Sequence, residues 1–229
     1  MATTAARGAT TTNTSPVERH TRAARWYHSA AYLLTTVELL TGWWLLSGRE
    51  GEPTPLARAI GIPDTSLHVR TGLALLVLGA IGVTIGARAS RTLFAESVRF
   101  DRSELGWVRA WPAAVFTGRF GRHQGLFDPG QRVANMVMVG GLAVLCLSGL
   151  ALSTLHGGDL FVVALWIHKV ATYVVTPVIV GHVIVASGLL PGYRGVWRAM
   201  HLGGRVQSRV ADRLWPAWMQ SRRGRPGPP

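Results

Sequence analysis

Four long apolar blocks, at 26–47, 67–87, 133–155 and 160–190, limit what this chain can fold into more than any other feature does. Each approaches or exceeds the roughly 20 residues a helix needs to cross a bilayer. The apolar residues are gathered into these blocks instead of recurring at the helical or strand period of a water-soluble domain. The pattern predicts an all-α membrane protein, a four-helix transmembrane bundle over 26–190. Residues 1–25 then read as a disordered basic tail without the apolar region of a signal peptide. Residues 88–132 form a long loop, and 191–229 an amphipathic segment with a basic end.

The formal net charge is +13, and all of the 24 basic residues except Lys169 are Arg. Four precede the first block, eight lie between the second and third, and eight follow the fourth. Between the first and second blocks stand only Arg49 and Arg58, beside Glu50, Glu52 and Asp64, and the link from third to fourth has none. This alternation is the positive-inside pattern. It predicts an inner or plasma membrane protein with both termini and loop 88–132 in the cytoplasm. No groove-reading or stacking motif accompanies the charge, so the expected contact is lipid and not nucleic acid.

Cys146 is the single cysteine. A disulfide framework, a C-x-x-C-H haem attachment and a cysteine-held cluster are thereby excluded. A metal in this chain falls to histidine. Of eight histidines, His28, His68, His168 and His182 lie in or at the ends of the apolar blocks; His20, His123, His156 and His201 lie in tails and loops. His168 and His182 share the fourth block, 14 residues apart. At about 100° per residue they fall within roughly 40° of one another on one face, separated by a rise of about 21 Å. One imidazole therefore stands in each leaflet.

Topology supplies the partners. With the first and third spans running outward and the second and fourth inward, His28 meets His182 at the inner side and His68 meets His168 at the outer side. The 31-residue fourth block is longer than the bilayer requires, and Pro177 lies between its two histidines. Two imidazoles facing each other across a gap suit iron in a planar macrocycle, with no open position for substrate, an arrangement for electron transfer. A tetrahedral zinc site asks for about four ligands at one depth. Arg70 and Lys169, next to the outer pair, either neutralise haem propionates or snorkel to headgroups. Glu38 falls about 15 Å along the first span from His28. A charge there costs about 3 kcal/mol, so it is either part of a proton path or hydrogen-bonded to threonines inside the bundle.

The stretches RAARWYHSAAYLLTTVELLTGWW, FDPGQRVANMV and LWIHKVATYVVTPVIVGHVIV, with RGVWRAMHLGGRVQSRVADRLW after it, resemble the cytochrome b (gamma) subunit of respiratory formate dehydrogenases. That subunit belongs with the bacterial cytochrome b561 and nickel–iron hydrogenase b-type cytochromes. The resemblance covers roughly residues 17–219 and matches all four histidines. It implies a dihaem anchor subunit, not itself the catalytic dehydrogenase subunit, with two b haems and partner iron–sulfur and catalytic subunits. Electrons would pass from the outer haem (His68, His168) to the inner haem (His28, His182) and on to menaquinone or ubiquinone at the cytoplasmic side. The family's Asn-x-Gly-Gln segment near the quinone corresponds to Asp128, Gly130 and Gln131, with Asp in place of Asn. Asp128 is either part of that site or a loop acid. Two other functions stay open: a self-sufficient b561-type carrier, and a haem-free transporter using its histidines for protons or metal. Trp107, Trp111, Trp197, Trp215 and Trp218 are expected to dock partners or anchor at the interface.

Overall fold

In the apolar blocks nearly every backbone amide must find its partner within its own segment, and helices result. The computed structural model describes residues 15–49, 51–99 and 101–224. The expected tails at 1–14 and 225–229 lie outside those residues. The long helices are α1 (Arg22–Leu46), α3 (Asp64–Thr84), α6 (Pro129–Thr154) and α7 (Asp159–Ala186). Between them lie α2 (Pro55–Ile60), α4 (Ala87–Ser97) and α5 (Leu105–Thr117). A strand β1 (Pro16–Glu18) precedes α1, and α8 (Arg198–His201), β2 (Arg205–Gln207), α9 (Ser208–Leu214) and α10 (Pro216–Arg223) follow α7.

Among the described residues three helices, α3, α6 and α7, are long and apolar enough to cross a membrane, and almost none of their apolar stretch is buried within the protein. Val77, Leu147 and Trp166 are each more than half exposed. A water-facing surface of this kind would aggregate; lipid covers it. α1 has the length, 25 residues, but Glu38 and its Thr, Tyr and Trp residues dilute its apolar character. It packs along α3 as α6 packs along α7, and contact of α3 with α6 joins the two pairs. α1 reaches α7 through side chains: Trp43 Nε1 donates to Thr176 Oγ1 at 3.0 Å, and the Trp43 ring meets the edge of Tyr173.

Local chemistry moves the expected boundaries. α1 starts at Arg22, ahead of the apolar block, because Thr21 caps it by accepting from the Ala24 amide. α3 starts at Asp64, whose buried carboxylate accepts from Thr54 N at 2.7 Å and Thr54 Oγ1 at 2.6 Å. That clamp moves His68 about one turn into its helix. α7 continues through Pro177 and ends before Gly188, whose φ of 74° stops it in a conformation glycine adopts freely.

The buried core lies outside the spans, in a cap at the end where α1 begins and α7 ends. Residues 15–25, expected within a disordered tail, are ordered here: β1 pairs antiparallel with β2, Val17 opposite Val206. Tyr193, Val206, Val210, Ala211, Leu214, Trp215 and Met219 form the core with Val115 of α5. The Arg19 guanidinium lies 4.5 Å from the ring centres of both Trp215 and Trp218 and donates to Leu126 O. Trp107, Trp215 and Trp218 are buried, and Trp111 Nε1 donates to the Tyr193 hydroxyl. These tryptophans therefore hold the cap together instead of facing a partner or the membrane interface; of the five expected there, Trp197 alone remains exposed.

A charged pair locks the cap to α6. Arg132 Nη1 donates to Glu104 Oε2 at 2.7 Å with both side chains almost fully buried, and its other nitrogen donates to Gln124 O. Glu104→Ala would leave the guanidinium buried without its carboxylate, at a cost of about 3–5 kcal/mol. The paired change Glu104→Leu/Arg132→Met should recover most of that. Denaturant unfolding in detergent, followed by tryptophan fluorescence, checks both outcomes.

Candidate cofactor site along the long helices

α7 carries His168 and His182, and each meets a histidine from the α1/α3 pair. The His28 and His182 rings lie 6.3 Å apart between centres, and the His68 and His168 rings 6.1 Å apart. All four side chains are half-buried. The ring planes cross at 51° in the first pair and 82° in the second.

Hydrogen bonds fix which nitrogen of the His68 and His168 rings is free. Thr41, fully buried, gives its hydroxyl proton to Val37 O at 2.7 Å, so its oxygen accepts from His68 Nδ1 at 3.0 Å. Ser148 likewise donates to Val144 O at 2.7 Å and accepts from His168 Nδ1 at 2.9 Å. Both rings thus carry their proton on Nδ1, which leaves the Nε2 lone pair available, the tautomer that a metal-bound imidazole takes when its other nitrogen is held by a partner. Glu38 also reaches this pair, with Oε2 at 3.2 Å from His68 Nδ1 and Oε1 in hydrogen-bond contact with Thr71 Oγ1, whose hydroxyl also bonds Leu67 O at 2.7 Å. Its expected threonine partner is there; its contact with a histidine was not anticipated.

A cavity of about 530 Å³ surrounds the His68/His168 pair, lined by Glu38, Gly42, His68, Gly149 and His168 among others. Lys169 lines it too; Arg70 does not, and both are exposed. Gly42 and Gly149 make room for the rings, since a Cβ there would stand 3.1 Å from His68 Cε1 and 3.3 Å from His168 Cε1.

The His28/His182 pair has different company. His201, which the sequence places outside the apolar blocks and which is exposed here, sits with its ring centre 6.3 Å from that of His28 and 6.1 Å from that of Tyr32. His28 Nδ1 is buried without a hydrogen-bond partner among the described residues. His123, placed by the sequence in the loop between the second and third blocks, is buried in the cap with Nε2 2.8 Å from Leu214 O. No signal in the order of residues marks either one, because both are brought in by the cap. In His20 burial, then the neighbouring Arg19 and His28, push the imidazole down to about 4, so it is neutral at physiological pH.

Asp128 and Gln131 stand at the start of α6. Asp128 is the N-cap, accepting from Gln131 N at 2.8 Å. Burial raises its carboxyl above the usual range, against the opposing effects of its amide hydrogen bond and the nearby His123 and Arg132. Its neighbours are groups of the cap, and the Gln131 side chain is half-buried beside it.

Two imidazoles bound to one metal at about 2 Å, with about 1.2 Å from nitrogen to ring centre, put the ring centres about 6.4 Å apart. Both pairs are within a few tenths of an ångström of that, and haem iron with two axial histidines fits the donor set. The fold and this geometry define a helical membrane protein suited to hold a planar iron macrocycle between its helices. The family profile described as prokaryotic cytochrome b561 matches residues 19–203, and the chain belongs to that family. A search of curated proteins gives no match. Membership makes the chain a haem-binding, b-type membrane cytochrome that carries electrons, and leaves little ground for a haem-free transporter.

Gly42→Val and Gly149→Val should displace the His68 and His168 imidazoles respectively, and each should lower the haem bound per chain by up to one equivalent. Gly79→Val, where an added Cβ meets no atom within 4 Å, should leave haem content unchanged. The ratio of haem to protein in the purified variants checks this.

Proposed function

We propose that this chain is a dihaem cytochrome b membrane subunit that passes electrons across the membrane to a quinone. His28 and His182 would hold one b haem near the cap, and His68 and His168 the other near the opposite face. What carries the reading is the pairing of α7's two histidines, at 6.3 and 6.1 Å, with one histidine of α1 and one of α3. The bound haems supply one-electron chemistry. The chain's part is to fix the imidazole tautomers through Thr41 and Ser148 and to keep water from the rings with the surrounding helices.

On this reading α1 spans the membrane as a fourth helix. Arg alternation puts the cap and both termini in the cytoplasm of an inner or plasma membrane. Lys169, on the cavity lining, is the better propionate partner, while Arg70 is better suited to headgroups. Quinone would be reduced at the cap end, taking its protons from the cytoplasm, with Gln131 as the candidate contact. Asp128 is committed to its helix cap. The electron donor would be an outward-facing iron–sulfur subunit of a formate dehydrogenase-like complex, as the resemblance of the helices implies.

A second reading is a self-sufficient cytochrome b561 carrier with a diffusible donor. It is favoured by the closed cap, which buries the tryptophans otherwise available for docking. Purification from native membranes separates the two, since hydrophilic subunits accompany the chain only in the first.

The ligand assignment predicts two b haems per chain in a pyridine haemochrome assay. His28→Ala and His182→Ala should lose the same one, with His68→Ala and His168→Ala losing the other. Reduced-minus-oxidised spectra identify each, and loss of different haems within a pair would refute the assignment.

A further inference from the structure

The two histidine pairs differ in what stands behind their rings. His168 Nδ1 is held by a neutral hydroxyl, Ser148. Around His28 the neighbours are Tyr32, His182 and His201, with His20 and Arg19 beyond. Among the described residues only His68 has a carboxyl group against its Nδ1. Glu38 Oε2 lies 3.2 Å from that nitrogen, and Thr41 Oγ1 shares the same proton at 3.0 Å.

Glu38 is held for this contact from both sides. Thr71 Oγ1, one turn beyond His68 on α3, is in hydrogen-bond contact with its other oxygen. Gly72 leaves the space: a Cβ there would come within 3.4 Å of Oε2. A carboxyl group within the hydrocarbon is costly unless its oxygens are hydrogen-bonded, and here each oxygen has a partner in α3. The contact joins a residue of α1 to a ring of α3, so it also sets the rotation of the imidazole in front of α7.

We propose that Glu38 is a positioning residue for the cofactor held by His68 and His168, and that by accepting from His68 Nδ1 it keeps the outer site at a more negative potential than the inner one. The physical route is short. A carboxyl oxygen accepting the Nδ1 proton increases electron density on the ring, so Nε2 donates more strongly to iron and the oxidised state is favoured. Ser148, a neutral oxygen already donating to Val144 O, does this more weakly for His168. This inference rests on the ligand assignment of the outer pair.

The test uses the full-length, haem-loaded protein with Glu38→Gln, which keeps an acceptor oxygen of similar size, and Glu38→Leu, which removes it. Potentiometric titration of the α-band reads both haems, and their waves are assigned from the spectra of the histidine variants. In E38L the wave of the His68/His168 haem should move to more positive potential while the other stays in place; in E38Q it should move the same way by less. The low-spin ferric EPR signal of the outer haem should shift in step, because its rings cross at 82° and its anisotropy depends on their orientation. Unmoved waves in both variants, or movement of the His28/His182 haem instead, would overturn the proposal. If E38L does not assemble, E38Q alone decides, and an unshifted outer wave in it is a negative result. Wild-type protein with no haem at the outer pair would remove the ligand assignment itself, a failure separate from an unshifted wave.

Discussion

The hydrogen bonds from Thr41 and Ser148 to their own helix carbonyls determine the rest of the site around His68 and His168. Hydrocarbon offers no competing partner, so a hydroxyl four residues along from a carbonyl gives it its proton. Once Val37 O and Val144 O have taken those protons, each oxygen has only lone pairs left to offer. The imidazoles of His68 and His168 must then present N–H on that side and a lone pair on the other. Two small polar side chains, each on a different helix from the ring it serves, thereby decide which face of the ring meets the cofactor.

Much of this was legible in the residues, for physical reasons that differ by element. Apolar block length sets the existence of α3, α6 and α7. The 14-residue spacing on α7 and the direction of each helix bring His28 to His182 and His68 to His168 as neighbours. The partner of Glu38 was not legible. Its depth follows from counting residues, but contact with His68 depends on the rotation of α1 about its axis against α3, which spacing along one helix does not encode. Helix starts were misplaced where a polar group caps the helix outside the apolar block, as at Thr21 and Asp64.

The cap was the least legible part. Its elements are short, its apolar residues show no sustained period, and a basic, tryptophan-rich sequence resembles an interfacial tail. Its order comes from distant segments closing on each other: β1 on β2, and Arg19 between Trp215 and Trp218. The guanidinium is held down to about 10 by burial, partly opposed by Asp128, and remains a cation between the two rings. One consequence reaches the candidate site. The same closure that orders the chain before α1 brings α8, and with it His201, against His28.

The charge pattern that orients the chain also bears on its electron transfer under the proposed function. Twenty arginines lie before the first span, between the second and third, or after the fourth. Eighteen of them lie in described residues, and those parts of the segments gather at the cap end, beside His28 and His182. The opposite end has few cations, and its histidine pair has a carboxyl group in contact. Low dielectric between the two ends weakens screening, so a difference in fixed charge becomes a difference in the energy of an added electron. Under that function the arginines would favour an electron at the cap end, and the oxygen that Glu38 presents to His68 Nδ1 would disfavour it at the other. On the proposed function the arginines and this one acid would bias the electron the same way, toward the cap end.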